Sequence, residues 1–121
     1  MKLGEKLNVV GFALRGDPSL ERGKELVEAI IKALGMNKAH ESIKYGYPVK
    51  GLGGNGFTYI QPITESFIAF DAWSEFNGAY LIICSCKEVN LNSVSIAIKS
   101  KKYKIKKICN NELNLGGLNG L

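Results

Sequence analysis

Thr64-Glu-Ser-Phe-Ile-Ala-Phe-Asp-Ala-Trp-Ser-Glu-Phe-Asn-Gly-Ala-Tyr-Leu-Ile-Ile-Cys-Ser-Cys86 is the stretch on which the fold turns. Two apolar runs, Ser66 to Trp73 and Ala79 to Cys86, flank a polar break that ends in Asn77-Gly78. Asn-Gly between such runs signals a hairpin, and the span from Ser74 to Gly78 makes its loop longer than two residues. The stretch holds the single tryptophan and two of the three cysteines, and Glu65-Ser66 opens its first apolar run. A serine at the entrance of one strand and a cysteine near the end of its partner can meet in space.

On the N-terminal side, Leu7 to Leu14 reads as a mostly apolar, centrally buried strand. Asp17-Pro18 then offers an N-cap followed by proline at the first helical position, which predicts a helix over about 18–34. Leu20, Val27, Ile30, Ile31 and Leu34 fall on one helical face, and Gly35 stands where a terminating glycine belongs. From Glu41 to Val49, Ile43, Tyr45 and Tyr47 alternate with polar or small residues, the pattern of a half-exposed strand. The run Gly51 to Gly56 lacks the Lys-Ser/Thr of a phosphate-binding loop and no helical pattern follows it, so it reads as a mobile connection. Phe57 to Gln61 is a short strand that Pro62 ends or marks as an edge.

Beyond the hairpin, Asn90 or Asn92 caps a second helix reaching Ser100 through Val94 and Ile98. A last strand runs from Tyr103 to Cys109, and the tail 112–121, rich in Asn, Gly and Leu, reads as loosely held. The order β-α-β-β-β-β-α-β predicts an α+β, two-layer sandwich: a mostly antiparallel sheet with two helices on one face.

Length and charge narrow the classes. The chain has 121 residues, enough for one core, and residues 1–121 read as a single domain. No apolar run reaches the roughly 18–20 residues of a membrane span, and the first residues carry no signal-peptide pattern. Three cysteines are an odd count without the spacing of a disulfide scaffold, so a cytoplasmic setting is expected. Much of the net charge of +5 sits in Lys99, Lys101, Lys102, Lys104, Lys106 and Lys107. Lysines guard exposed strand edges, and that reading is preferred over a nucleic-acid footprint because only Tyr103 is interleaved and no nucleic-acid motif accompanies them.

Residue by residue, the chemistry is sparse. The only histidine, His40, has no orienting carboxylate nearby in sequence, and no Gly-x-Ser-x-Gly elbow surrounds Ser66, which disfavours a Ser-His-Asp hydrolase. Cys84 and Cys86 share a strand face, but together with Cys109 and His40 they match no standard zinc spacing, so no metal is expected. Buried small hydrophobes are the alternative reading of these cysteines, Cys84 above all.

The run Glu65-Ser66-Phe67-Ile68-Ala69-Phe70-Asp71-Ala72-Trp73-Ser74-Glu75, followed by Cys86, resembles the prokaryotic S-adenosylmethionine decarboxylase family. That family shows Glu-Ser-His, three residues, His-Thr-Trp-Pro-Glu, and a cysteine about twenty residues after the serine. Ser66, Trp73, Glu75 and Cys86 fall in that register. Gly56-Phe57-Thr58-Tyr59 is similar to the family's Gly-Val-Ser/Thr-Gly, and Leu3-Gly4-Glu5-Lys6-Leu7 to its opening Leu-Gly-Arg-His-Leu. Phe67 and Asp71 replace the two histidines, Ser74 the proline, and Ile82 an acidic residue before the cysteine.

The resemblance implies a self-processing enzyme. Ser66 attacks the Glu65 carbonyl, the chain is cut between 65 and 66, and a pyruvoyl group remains in place of the serine. Its carbonyl captures the substrate amine and serves as electron sink for loss of carboxylate. Cys86 is implied as proton donor, Thr58 and Asp71 as processing groups, and Trp73, Glu75 and Phe57 as substrate contacts. S-adenosylmethionine is the implied substrate, spermidine synthesis the destination, and a homodimer the assembly. Two alternatives stand beside this: an unprocessed homologue that binds S-adenosylmethionine or a partner protein, and a pyruvoyl decarboxylase with another amino-acid substrate.

Overall fold

A computed structural model describes residues 5–49 and 54–115, with the side chains of 47–49, 54 and 55 left aside. Six strands and two helices follow in the expected order: β1 Lys6–Arg15, α1 Leu20–Leu34, β2 Ile43–Val49, β3 Gly54–Ile63, β4 Ser66–Trp73, β5 Gly78–Ser85, α2 Leu91–Ser100 and β6 Lys104–Asn114. They form one sheet in the order β2-β3-β4-β5-β1-β6, with every neighbouring pair antiparallel. The two-layer α+β sandwich is therefore what the alternation of apolar runs implied.

Strand periodicity decides which face is covered. Val10, Phe12 and Leu14 of β1, Ile68, Phe70 and Ala72 of β4, and Leu81 and Ile83 of β5 are buried beneath the helices. Leu26, Val27, Ile30 and Ile31 of α1 and Val94, Ala97 and Ile98 of α2 close over them. The opposite face has no layer over it among the described residues. There Ile43 and Tyr45 are 59% and 65% exposed and Tyr80 is 54% exposed, so apolar side chains of β2 that the alternation offered as half-buried lie open.

Several boundaries differ from the sequence reading, each for a local reason. The cap of α1 is Ser19, whose hydroxyl accepts from the Arg22 N–H; Asp17 instead accepts from the Ser19 N–H at 2.8 Å. Asp17 thus folds the turn before the helix and leaves capping to the residue two positions on. Pro62 does not end β3, which continues to Ile63 with Pro62 paired to Phe67. Its carbonyl faces away from β4, accepting from the Ala39 N–H at 3.1 Å and Gln61 Nε2 at 2.8 Å, so the missing N–H lies on that side and costs no bond to β4. Gly54 to Gly56, read as loop, open β3; Gly51 to Gly53 lie outside the described residues. Glu112 to Asn114, read as loose tail, extend β6, where Lys6 Nζ meets Glu112 Oε2 at 2.9 Å; 116–121 lie outside the described residues.

Two contacts fix the helical layer on the sheet. Gly23 in α1 sits against the Phe70 ring, where an added Cβ would stand 2.5 Å from Cδ1. Tyr103, 3% exposed, donates its hydroxyl to the Asp17 carbonyl at 2.6 Å and meets Phe70 edge-on at 5.9 Å. Burial first, and the nearby Asp17 charge second, push its phenol up to about 12.

Gly23→Ala should therefore destabilise the chain by about 1–2 kcal/mol, because overpacking of a fully buried ring outweighs the gain of up to about 1 kcal/mol in helix propensity. Urea titration checks this; an unchanged or raised midpoint would contradict the close packing of α1 on β4.

Candidate functional site

The expected site residues fall into two groups at different places along β4. The first group surrounds the β3–β4 connection. Ile63 pairs with Ser66, leaving Thr64 and Glu65 as a two-residue hairpin turn. Ser66 has φ of +155°, a backbone conformation rare for a residue with a Cβ. Across the sheet Ser66 pairs with Ser85, and the next N–H along, that of Cys86, donates to the Glu65 carbonyl at 3.0 Å. Ser66 and Cys86 are thus brought to one end of the β4–β5 hairpin, with the carbonyl between Glu65 and Ser66 bound to the Cys86 main chain.

Electrostatics reinforce that end. The Glu65 side chain is almost fully enclosed and meets Lys87 Nζ at 3.3 Å. Burial alone would raise its carboxyl, but hydrogen bonds from Thr64 and Lys87 outweigh it and hold it below the ordinary 4.5. Asn8, which the sequence reading passed over, donates through Nδ2 to the carbonyls of Ser85 (3.3 Å) and Lys87 (2.8 Å), one on each side of Cys86. The Lys87 N–H donates to Ser85 Oγ at 3.0 Å, closing the turn. An asparagine within the apolar run Leu7-Asn8-Val9-Val10 was the available signal, since a buried amide must bond to something. Cys86 is half-buried, whereas burial pushes the Cys84 thiol up, in keeping with Cys84 as a packing residue.

The second group lies toward the other end of β4 on the open sheet face. Thr58 pairs with Asp71 across β3 and β4 and donates its hydroxyl to Asp71 Oδ1 at 3.0 Å. Trp73 Nε1 donates to Asp71 Oδ2 at 3.3 Å. Beyond Trp73, a single 3-10 turn, Ser74–Phe76, carries Glu75, both of whose carboxylate oxygens are shielded from solvent with no hydrogen-bond partner among the described residues. Such a carboxylate is a receptor for donors brought by something else. Phe57 is on the helix side instead, stacked on Phe70 at 5.9 Å. Asp71 is five residues from Ser66, roughly 17 Å along an extended strand, so one chain does not bring the two groups together.

This arrangement of strands and helices has a solved counterpart. The fold matches that of the adenosylmethionine decarboxylase from Aquifex aeolicus VF5. The TM-score is 0.61 and the identity 18%, over 90% of this chain and 88% of that one. At this identity the likeness is one of fold. No family model matches the chain, and no curated protein matches it in sequence.

The depressed Glu65 carboxyl has a pH consequence. Its stabilising effect is complete above the unfolded value near 4.5 and is lost as pH falls through the lower folded value. Glu65→Gln should lower the melting temperature at pH 7 but reduce its further fall between pH 4.5 and pH 3. Thermal melts across that range check this; equal acid sensitivity in both proteins would remove Glu65 from the account.

Proposed function

We propose that the chain is a self-processing, pyruvoyl-dependent decarboxylase acting on S-adenosylmethionine. The observation that carries this reading is the Glu65–Ser66 peptide itself. It closes a two-residue turn, Ser66 has positive φ, and the Cys86 N–H binds the Glu65 carbonyl oxygen. A hydrogen bond to that oxygen stabilises the negative charge that develops when Ser66 Oγ attacks the carbonyl carbon. Backbone strain released on breaking the peptide bond favours the same step.

In this reading the peptide C–N bond breaks as an ester forms between Glu65 and Ser66 Oγ. A base then removes the Ser66 α-proton, and the ester C–O bond breaks to leave a Glu65 carboxylate. Water hydrolyses the dehydroalanine left at position 66, releasing ammonia and leaving the pyruvoyl group. Lys87, already on the Glu65 side chain, adds positive charge where that new carboxylate appears. The residues present fit the group: a half-buried serine at a strand start, next to the Glu65 carbonyl that the Cys86 N–H binds, becomes its only covalent anchor. The pyruvoyl group supplies an electron sink for decarboxylation. Cys86 then serves as proton donor to the product carbon.

The roughly 17 Å between Ser66 and the Thr58–Asp71 pair supports a homodimer. A two-fold axis running across the strands midway between them, with open faces together, would bring Thr58 and Asp71 of a second copy to the open side of the Glu65–Ser66 peptide. The same packing covers Ile43, Tyr45 and Phe67, exposed on that face. Asp71 acts there as base for the elimination, oriented by Thr58 and Trp73. The unpaired Glu75 carboxylate then has a use, accepting from ribose hydroxyls beside Trp73.

Purified protein should run as fragments 1–65 and 66–121, the latter blocked at its N-terminus, while Ser66→Ala stays intact. Asp71→Ala should also stay intact alone. Co-refolded with Ser66→Ala it should be cleaved, because each mixed dimer pairs an intact Ser66 with an intact Asp71. Intact-mass spectrometry decides: a single uncut mass for the unaltered chain would overturn the reading, and cleavage of Asp71→Ala alone would remove the dimeric part of it.

A further inference from the structure

A cavity of about 210 Å³ lies at the opposite end of β4 and β5 from Ser66, roughly 23 Å along the strand. Its shape follows from register. Trp73 pairs with Gly78, and Gly78 pairs with Arg15, so a row across the open face reads tryptophan, glycine, arginine. Gly78 cannot be anything larger, since a Cβ there would run into the Leu14 carbonyl. The row therefore has a gap at its centre, floored by backbone and walled by an indole and a guanidinium. Phe76, 63% exposed, and Tyr80 complete an aromatic rim.

Charge comes from two strands. The β1–β6 register shifts between Ala13 and Leu14, so Ala13 pairs with Lys107 while Leu14 pairs with Ile105. The residue left over is Lys106, and this bulge delivers it into the lining of the slot. Neither Arg15 nor Lys106 takes part in an ion pair among the described residues. On the tryptophan side, Asp71 is occupied by Thr58 and Trp73, and Glu75, whose carboxylate has no hydrogen-bond partner among the described residues, is not in the lining of the slot.

We propose that this slot binds a nucleoside 5′-phosphate, its base between Trp73 and Arg15 and its phosphate met by Arg15 and Lys106. A guanidinium stacks on a planar ring while its edge donates in plane, so Arg15 serves both parts. The volume lies below the roughly 300–1,000 Å³ of ordinary ligand pockets, which suits one base with its phosphate outside the slot. The slot shares Trp73 with the nucleoside contacts proposed above, but takes its preference for an anion from Arg15 and Lys106, which have no part in that reaction.

Trp73, as the only tryptophan, reports directly on the slot. Titration of the full chain with AMP should quench its emission saturably, with adenosine at least tenfold weaker. Arg15→Gln and Lys106→Gln should each weaken AMP about tenfold, a loss of about 1.4 kcal/mol. Lys99→Gln, at the end of α2, should leave binding unchanged, as should Ser66→Ala, which blocks the proposed processing. No saturable quenching by millimolar AMP, or equal affinity for adenosine, would overturn the proposal. So would an octanucleotide that binds far more tightly than AMP and loses affinity on Lys99→Gln, since the lysine strip would then be a nucleic-acid face.

Discussion

Register between β4 and β5 is the constraint on which everything else here rests. With Ser66 opposite Ser85 and Trp73 opposite Gly78, Ile68, Phe70, Leu81 and Ile83 all point under the helices. A slip of one residue would turn that apolar set to the open face and bring Asp71 and Tyr80 into the core. The cost of burying an unpaired carboxylate makes such a slip prohibitive. The same register puts the Cys86 N–H on the Glu65 carbonyl and leaves Gly78 between two long side chains. Core packing and both candidate sites are consequences of one alignment.

Most of the architecture was legible because apolar spacing is a strong signal where one face is buried. The helix carrying Val27, Ile30 and Ile31, the Asn-Gly turn and the six strands all appear in the sequence order expected. Boundaries were less legible where a side chain changed its task. Asp17 looks like a cap and instead folds the preceding turn, and Pro62 looks like a stop yet faces the side on which no strand bond is lost. Alternation of Ile43 and Tyr45 marks a strand but cannot say which face a second layer covers. Ser66 and Cys86 could be paired from sequence because a hairpin joins them. The separation of Ser66 from Asp71 was implicit as well, since the predicted strand from Ser66 to Trp73 holds both, but the match of their types to one motif hid that a strand keeps residues five apart from meeting. Asn8 escaped notice because its partners are carbonyls distant in sequence.

The two faces of the sheet divide the labour. Beneath the helices, packing around Phe70, Gly23 and Tyr103 leaves little freedom. On the open face, small residues such as Gly11, Ala13 and Ala69 stand among Tyr80, Trp73 and Asp71, so relief there varies from row to row. A flat β-surface acquires recesses in this way without needing loops. On that face Thr58, Asp71 and Trp73 bond to one another, which keeps these half-buried groups oriented.

The two-residue connection between β3 and β4 has a thermodynamic side. Eight residue pairs, from Gly56–Trp73 to Ile63–Ser66, join these strands, and the link between them is as short as a hairpin allows. Severing it would remove no strand from the sheet, yet it would turn an intramolecular neighbour into a separate molecule. Assembly, until then governed by the small entropy of closing a short loop, would become second order, and apparent stability would rise with protein concentration. A chain cut at this point would keep its shape for as long as it stayed folded. Once unfolded at high dilution, its halves would have to find each other again.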